Sequence, residues 1–131
     1  MVNDPIGDML IQVKNAALAR RKSVGLPQSK AKLAVAKILK DEGYLTSVDT
    51  KQEDGRPVLL LELAYQDAAT PVLSGVRRIS KPGLRRYIGN RQIPWVMGGM
   101  GIAILSTPKG MMSGKDAKKQ GLGGEFICEV W

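Results

Sequence analysis

The sequence has no histidine and a single cysteine, Cys128. Without histidine there is no imidazole general base and no Ser-His or Cys-His nucleophile pair, which excludes most catalytic chemistry. The commonest zinc ligand is missing as well, and one cysteine cannot build a disulfide or a cysteine-rich metal site. We therefore expect no metal, no cofactor and no enzymatic activity. Cys128 follows Phe126 and Ile127, and we expect it to be a small buried hydrophobic residue.

Long hydrophobic runs are also absent. The N-terminal residues 1–5 include an early acid, Asp4, and no hydrophobic segment of the signal-peptide type. The longest uncharged stretch runs from Gln92 to Pro108 but is interrupted by proline and glycine. It is also shorter than the roughly 20 apolar residues of a membrane helix. These features predict a soluble cytoplasmic protein without a membrane partner.

Aromatic residues are scarce, with two Trp, three Tyr and one Phe. Modules that stack single-stranded bases need several aromatics on an exposed sheet, so that mode of binding is disfavoured. Only Tyr87, beside Arg85 and Arg86, has basic neighbours. We expect Tyr87 to stack on a base or to contact a phosphate, on a surface that recognises structured RNA.

Acidic residues are distributed unevenly in this chain of 131 residues, whose net charge is +8. No acid occurs between Asp67 and Asp116, and eight cations occupy that interval: Arg77, Arg78, Lys81, Arg85, Arg86, Arg91, Lys109 and Lys115. Such segregation predicts an anionic partner, and nucleic acid is the best candidate. The alternatives are a solvated basic face, an acidic protein or a membrane surface, although no basic amphipathic helix of the membrane type is evident.

Two helices are predicted in the first half of the chain. Asp4 and Pro5 are typical of a helix start, and apolar residues follow at helical spacing: Ile6, Met9, Leu10, Val13, Ala16 and Ala17. Ser29 is a candidate N-cap for the second helix, which Gly43 would end. Its predicted apolar stripe comprises Ala31, Ala34, Val35, Ile38 and Leu39. The segment 26–29 is predicted to be a loop.

Strands are predicted at 44–48 and 57–65, joined by a hairpin turn at Asp54-Gly55. A linker around 68–71 suggests a boundary between lobes 1–66 and 67–131. In the second lobe, short β-prone runs alternate with glycine turns, at 76–79, 84–88, 102–106 and 125–130. One helix is predicted from Ser113 to Gln120, closed by Gly121.

Two segments of the second lobe are candidate binding sites. Ser106, Thr107 and Lys109 lie where a predicted buried strand ends, before a predicted helix start, and their hydroxyl and ammonium groups suit phosphate oxygens and ribose hydroxyls. Alternatively, the two hydroxyls merely stabilise a turn. The segment 121–125 is rich in glycine, which allows close backbone approach to a ligand. Glu125 is a candidate acceptor from base amino groups, and a helix cap with a hairpin turn is the alternative. The glycines at 98–101 precede a strand, so they predict a tight turn and not a nucleotide-binding loop.

Four segments together carry a resemblance to a known family: 4–10, 78–85, 99–107 and 121–131. In these segments, and over essentially the whole chain, the sequence resembles the bacterial small-subunit ribosomal protein S-eight family. The resemblance implies an α+β fold with two tightly packed α/β lobes. The N-terminal lobe would place two helices on a three-stranded sheet, and the C-terminal lobe would be mostly β with one short helix.

The resemblance also implies a function. Family members bind the central domain of 16S ribosomal RNA, help to assemble the platform and body of the small subunit, and have no enzymatic activity. The implied protein neighbour is ribosomal protein S-five, and the chain is expected to be a monomer within the ribosome. In some bacteria the family represses its own operon, which makes that messenger RNA an alternative partner.

Site residues carry over from the family by position. The implied RNA-contacting residues are Ser106, Thr107 and Lys109 in one loop, Gly123, Gly124 and Glu125 in the glycine turn, Tyr87 after the Pro-Gly-Leu-Arg segment, and Ser29 and Lys30 in the first lobe. The neighbouring cations Lys81, Arg85 and Arg86 are expected to supply electrostatic attraction. One departure is Pro108, which replaces a serine common in the family, removes a hydroxyl and stiffens the loop.

Two functions of other classes compete with RNA binding. A phosphate-dependent enzyme would need a carboxylate or lysine as its general base, and nucleotide turnover would reveal it. A DNA-binding protein of the nucleoid type would bind duplex DNA as well as structured RNA. Readout of ribose 2′-hydroxyls instead predicts a preference for RNA.

Overall fold

The computed structural model describes residues 4–131. These residues form two compact units, one spanning Pro5–Ser74 and the other comprising Asp4 and Gly75–Trp131. The chain thus passes from one unit to the other after Ser74, and the lobe boundary predicted after residue 66 stays a prediction. The first three residues, on which part of the signal-peptide prediction rests, lie outside the described range. Within that range, every helix is too short or too polar to span a lipid bilayer.

The first unit contains two helices and a three-stranded sheet. Its elements are α1 (Pro5–Leu18), β1 (Ser23–Pro27), α2 (Lys30–Asp41), β2 (Leu45–Glu53) and β3 (Arg56–Leu63). The sheet is antiparallel with the order β1-β3-β2. This is the architecture expected for the N-terminal lobe.

The apolar stripe of α1 forms much of this unit's core, as the sequence predicts. All six of its predicted residues are buried. In α2 the buried residues are Val35, Ala36 and Leu39, whereas Ala31 is exposed. The predicted stripe was therefore wrong at Ala31, in the first turn, and it did not include Ala36. Ala34 and Ile38 are half-buried.

Local signals set the ends of these elements. The Ser29 hydroxyl accepts a hydrogen bond from the backbone N–H of Lys32 at 3.2 Å, which confirms it as the N-cap of α2. Gly43 follows α2 with a φ of +88°, a conformation that favours glycine. Asp54 and Gly55 both have positive φ, as a two-residue hairpin turn of type I′ requires, and they join β2 to β3.

The second unit is built around a five-stranded antiparallel sheet whose strands differ in length. Its strands are β4 (Val76–Arg78), β5 (Tyr87–Ile88), β6 (Ile102–Thr107), β7 (Gly110–Ser113) and β8 (Gly124–Val130). The order is β4-β8-β6-β7, and β5 also pairs with β8. Its helix α3 (Gly114–Gln120) starts after the N-cap Ser113 and ends at Gly121 with a φ of +69°, as predicted. Two 3-10 helices occupy Asn90–Gln92 and Val96–Gly99.

One face of this sheet packs on α3 and the 3-10 segments. The cluster comprises Ile93, Val96, Ala103, Leu105, Met112, Ala117 and Phe126. Cys128 is fully buried, and this burial raises the pKa of its thiol to about 12. The prediction that Cys128 is a buried hydrophobic residue is confirmed, and a neutral, inaccessible thiol has no nucleophilic role.

Some predicted elements differ from the structure. Leu26 and Pro27 belong to the edge strand β1, where the sequence suggested a loop. Strand β7 was not predicted, and the β-prone run 84–88 contributes only Tyr87–Ile88 as a strand. These short elements exist because of pairing with β3, β6 and β8, which local sequence does not reveal.

Candidate RNA interface

Three candidate residues lie in one row across the second unit's sheet. Tyr87 on β5 pairs with Glu125 on β8, and Glu125 pairs with Ser106 on β6. Residues directly opposite each other on neighbouring strands project from the same face. The register thus brings together residues from both candidate segments and from the basic stretch. Tyr87 is the most accessible, with 70% of its surface exposed.

Glu125 is engaged inside the protein. One of its carboxylate oxygens, Oε2, accepts hydrogen bonds from the hydroxyl of Ser80 and from the guanidinium of Arg85, the latter at 2.9 Å. The Ser80 hydroxyl in turn accepts a hydrogen bond from the backbone N–H of Arg86 at 3.1 Å. Glu125 therefore fixes the positions of two predicted RNA-contacting residues, a role that the sequence did not suggest.

Opposing effects act on the ionisation of Glu125. Burial by itself raises the pKa of the carboxyl group. The hydrogen bonds from Ser80 and Arg85, together with the charges of Arg85 and Arg78, outweigh this, so the pKa lies below its usual value of 4.5. The carboxylate is thus charged at neutral pH, and its bond to Arg85 is a charge-assisted one.

The segment 80–86 is a hairpin that presents cations. Lys81 and Leu84 exchange two backbone hydrogen bonds around a tight turn, and Ser80 N–H donates to the carbonyl of Phe126 on β8 at 3.0 Å. Lys81, Arg85 and Arg86 are all exposed. Below this hairpin lies an open concavity of about 300 Å³, lined by Arg77, Arg78, Ile79, Lys81, Leu84 and Arg86. A concavity with four cations on its wall is suited to a phosphate group.

Thr107 organises the hairpin between β6 and β7. Its hydroxyl donates to the carbonyl of Gly110 at 2.8 Å and accepts from the N–H of Lys109 at 3.2 Å. Thr107 is buried, whereas Pro108 and Lys109 form the exposed two-residue loop. The Thr107 hydroxyl therefore stabilises the turn, Lys109 is exposed at the hairpin tip, and contact of Thr107 with RNA stays a prediction. Pro108 occupies an exposed loop position.

Gly123 and Gly124 are required by packing within the protein. A Cβ on Gly124 would lie 2.1 Å from the carbonyl oxygen of Ser106, and one on Gly123 would lie 2.4 Å from that of Ile88. Both obstacles are backbone atoms of neighbouring segments, which cannot move aside cheaply. The glycines thus let β8 approach its neighbours closely, which positions Glu125.

Ser29 and Lys30, the candidates in the first unit, lie at the start of α2. The Ser29 hydroxyl is committed to capping that helix, while Lys30 is exposed. Of these two candidates, Lys30 is therefore the one with an exposed charged group.

The sequence missed two residues that shape the site. Ser80 has no exposed surface, yet its hydroxyl links Glu125 to the basic hairpin. Arg78 forms an ion pair with Asp4 at 3.2 Å and donates to the carbonyl of Ile127 at 2.7 Å. A small polar residue between Ile79 and Lys81 gives no local sign of burial, and Asp4 and Arg78 are too distant in sequence to suggest a pair.

The charges around the site strongly favour anions. Gly75–Trp131 contains ten Lys and Arg residues but only three acids, Asp116, Glu125 and Glu129. Among residues 4–131 no group of three or more His, Cys, Asp or Glu side chains is arranged to hold a metal ion. The arrangement can bind phosphate and ribose groups through cations, hydroxyls and an exposed aromatic ring.

Comparison with known proteins gives a consistent result. The model of a family described as "Ribosomal protein S8" matches residues 4–131. The chain is 48% identical over 131 residues to small ribosomal subunit protein uS8 of Solibacter usitatus, with 100% of both chains covered. It is 48% identical to the uS8 protein of Roseiflexus castenholzii, covering 99% of this chain and 98% of that one, and 47% identical to that of Burkholderia multivorans, covering 98% of each. A match of this extent, on both units of the fold, means that this chain belongs to the ribosomal protein S8 family.

Proposed function

We propose that this chain is a structural constituent of the small ribosomal subunit that binds the central domain of 16S ribosomal RNA through its second unit. The observation that carries the proposal is the group of exposed side chains at one end of the sheet. Tyr87 is exposed in the row that also contains Glu125 and Ser106, and the exposed cations Lys81, Arg85 and Arg86 precede it in the chain. Relatives named as small ribosomal subunit proteins support the same assignment.

The site residues of the second unit either contact the RNA directly or hold the contacting residues in place. Lys81, Arg85, Arg86 and Lys109 attract and neutralise phosphates, which makes binding sensitive to salt. Tyr87 stacks on a base or contacts a phosphate, and Ser106 reads a ribose hydroxyl.

The remaining site residues act as organisers and not as direct contacts: Thr107, Gly123, Gly124 and Glu125. Their hydrogen bonds and close packing hold the contacting groups in place before RNA arrives. Such preorganisation lowers the ordering cost of binding.

Further parts of the proposal concern the first unit and the wider role. The N–terminal end of α2, with exposed Lys30 next to the capping Ser29, makes a second contact with the RNA backbone. The chain acts in assembly of the platform and body as a cytoplasmic, non-enzymatic monomer within the ribosome. Ribosomal protein S-five is the proposed neighbour, and own-operon messenger RNA is the alternative RNA target.

Salt dependence tests the electrostatic part of this proposal. If four exposed cations neutralise four phosphates, a plot of the logarithm of the association constant against the logarithm of the salt concentration should have a slope of about −3. The association constant should then fall about a hundredfold for a fivefold rise in salt concentration. The measurement is filter binding of the full chain to a central-domain fragment of 16S ribosomal RNA. In Lys109→Gln the slope should become shallower by about one unit.

A matched control is Lys51→Gln in the first unit, where an exposed lysine near Glu53 is removed. This variant should keep the wild-type slope. Competition with a DNA duplex of the same length distinguishes RNA recognition from the nucleoid-type alternative. Equal competition by DNA would contradict recognition of ribose hydroxyls. Binding that is insensitive to salt would contradict the cationic surface.

Thr107→Val tests the proposed organising role of the hydroxyl. Valine keeps the shape of the buried side chain but removes the hydrogen bonds with Gly110 and Lys109. We expect RNA binding to weaken by about 1–2 kcal/mol, because the hairpin tip that carries Lys109 loses its internal order. The measurement is the same filter-binding titration.

The control for this prediction is Thr46→Val, which removes an exposed hydroxyl bonded to the carbonyl of Glu62 in the first unit. Its RNA affinity should match the wild type. If Thr107→Val binds RNA as tightly as Thr46→Val does, the hairpin hydroxyl has no part in the site.

A further inference from the structure

The outer edge of strand β1 lies open in the first unit. Among residues 4–131, β1 pairs with β3 alone, so its other edge has no neighbouring strand. The carbonyl of Lys22, just before β1, accepts a hydrogen bond from Leu63 N–H of β3 at 2.9 Å. Because backbone groups alternate in direction along a strand, Ser23 and Gly25 direct their N–H and C=O groups away from β3. Both residues are exposed.

The open edge has little protection against pairing with another strand. Natural proteins blunt such edges with charged side chains, with proline or with a bulge. In β1 the proline comes only at the end, at Pro27, whose carbonyl accepts a hydrogen bond from the ammonium of Lys32 at 3.1 Å. The segment Ser23–Gly25 carries no charge, and its register with β3 is uninterrupted. These three residues thus keep the donors and acceptors that an added strand would use.

Helix α1 forms a wall beside this edge. An open concavity of about 450 Å³ lies between α1 and β1. Its lining consists of Arg21, residues 23–25 and, on the helix, Gln12, Asn15, Ala16 and Ala19. The alanine side chains occupy little of the space, and the amides of Gln12 and Asn15 can each donate to and accept from a peptide backbone. We call this concavity the α1–β1 groove.

The turn that closes the groove between α1 and β1 is fixed by hydrogen bonds. Arg21 N–H donates to the carbonyl of Ala16 at 2.8 Å, and the Arg21 carbonyl accepts from the hydroxyl of Tyr65. Arg20 has a φ of +55°, and its guanidinium donates to the carbonyl of Ala69 at 3.0 Å. A groove whose walls are held in place before binding loses little freedom on association.

The chain around the groove is rich in cations. No acid occurs between Asp8 and Asp41, and eight cations occupy that interval: Lys14, Arg20, Arg21, Lys22, Lys30, Lys32, Lys37 and Lys40. Arg21 and Lys22 are exposed and, among residues 4–131, form no ion pair. These two cations lie at one end of the open edge, and Lys32 lies at the other. Pairing of two copies of this chain would bring like charges together, so the groove favours an acidic partner.

We propose that the open edge of β1 accepts an extended, acidic segment of another protein as an added strand in the α1–β1 groove. Such a segment offers the alternating N–H and C=O groups that pair with Ser23 and Gly25. A ribose-phosphate chain is also anionic but lacks this alternation of donors and acceptors. Asp or Glu side chains near the ends of the segment would meet Arg21 and Lys32. The proposal does not use the RNA-binding role of the second unit.

Amide hydrogen exchange of the full chain tests the pairing. The probe is the peptide acetyl-Asp-Val-Thr-Val-Glu-amide, which joins β-branched residues to an acid at each end. Exchange of individual amides in the isotope-labelled chain is followed by NMR with and without millimolar peptide. We expect exchange at Ser23 and Gly25 to slow by about tenfold or more, because their N–H groups become hydrogen-bonded. Thr50 is exposed on β2, the opposite edge strand, and its exchange should not change.

Two variants separate pairing from charge attraction. Ser23→Pro removes an outward N–H at the first residue of β1, a position where a strand tolerates proline. It should abolish the slowed exchange at Gly25 and lower peptide affinity, measured by NMR titration, by about tenfold. Arg21→Glu changes only an exposed side chain and should also lower peptide affinity by about tenfold, through like-charge repulsion. The matched control is Lys37→Glu on α2, which makes the same charge change away from the groove and should lower affinity by less than about twofold.

Other outcomes overturn the proposal. Unchanged exchange at Ser23 and Gly25 in millimolar peptide would refute strand addition, and equal binding of acetyl-Lys-Val-Thr-Val-Lys-amide would refute the acidic preference. Slowed exchange with the 16S RNA fragment but not with the peptide would assign the groove to RNA. Slowed exchange at these amides without peptide, together with a dimer in analytical ultracentrifugation, would assign it to a second copy of the chain. Filter binding of Ser23→Pro to the RNA fragment should match the wild type, so this proposal and the RNA interface can fail independently.

Discussion

Replacing Gly124 by alanine is expected to lower the free energy of unfolding by about 3 kcal/mol. The new methyl group would lie 2.1 Å from the carbonyl oxygen of Ser106, 2.9 Å from its carbonyl carbon and 3.1 Å from Cα of Thr107. These atoms belong to the backbone of β6, which pairs with β8 along five positions and is bonded to β7 on its other side. Relief of the clash therefore requires that two central strands separate at this end.

Gly83→Ala provides the matched control. Gly83 lies in the tight turn of the basic hairpin, and no atom lies within 4 Å of a Cβ built there. This substitution should change the free energy of unfolding by less than about 0.5 kcal/mol. The measurement is urea denaturation of both variants without RNA. Equal stability of Gly124→Ala and the wild type would contradict the packing role and would favour the hypothesis that this glycine exists to admit a ligand.

Much of the fold could be predicted because local signals determine it. The apolar spacing of α1, the Ser29 cap and the Asp54-Gly55 turn each depend on residues within one helix, one helix end or one hairpin. Where pairing over long sequence distances decides the structure, prediction was less successful. Strand β1 exists because it pairs with β3, more than thirty residues later in the chain, and its Gly25 and Pro27 argue against a strand locally.

The site shows the same division. The sequence identified Ser106, Thr107 and Glu125 as candidates, because hydroxyls, neighbouring glycines and a lone acid in a basic region can be recognised from the order of residues alone. It did not reveal that Glu125 and Thr107 are used inside the protein. Their partners are decided by strand register, and Ser80, which lies 45 residues from Glu125, cannot be inferred from local pattern.

The pH dependence of stability provides a check on the Glu125 network. Because the pKa of Glu125 is lower in the folded protein than its usual value of 4.5, the carboxylate stabilises the fold fully above that pH. The contribution is lost as pH falls through the lowered pKa of the folded state. The difference in free energy of unfolding between the wild type and Glu125→Gln should therefore be present at pH 7 and shrink below pH 4.5.

Glu125→Gln is also expected to weaken RNA binding about tenfold, which corresponds to about 1.4 kcal/mol. Glutamine keeps the size of the side chain but loses the charge that holds Arg85 at 2.9 Å and the Ser80 hydroxyl. Removal of a negative charge strengthens long-range attraction to RNA, so association should be slightly faster. Dissociation should accelerate more, because Arg85 and the 80–86 hairpin are no longer held in position.

A double-mutant cycle distinguishes positioning from direct contact. If Glu125 acts through Arg85, Glu125→Gln should have little further effect in an Arg85→Gln background, and the two changes should be strongly non-additive. If Glu125 accepts hydrogen bonds from base amino groups, as the sequence alone suggested, the two losses should add. Glu129→Gln on the same strand is the control and should alter RNA affinity by less than about twofold. Because additive losses would contradict the positioning role while leaving Glu125 at the interface, the cycle tests how the site is built independently of whether it binds RNA.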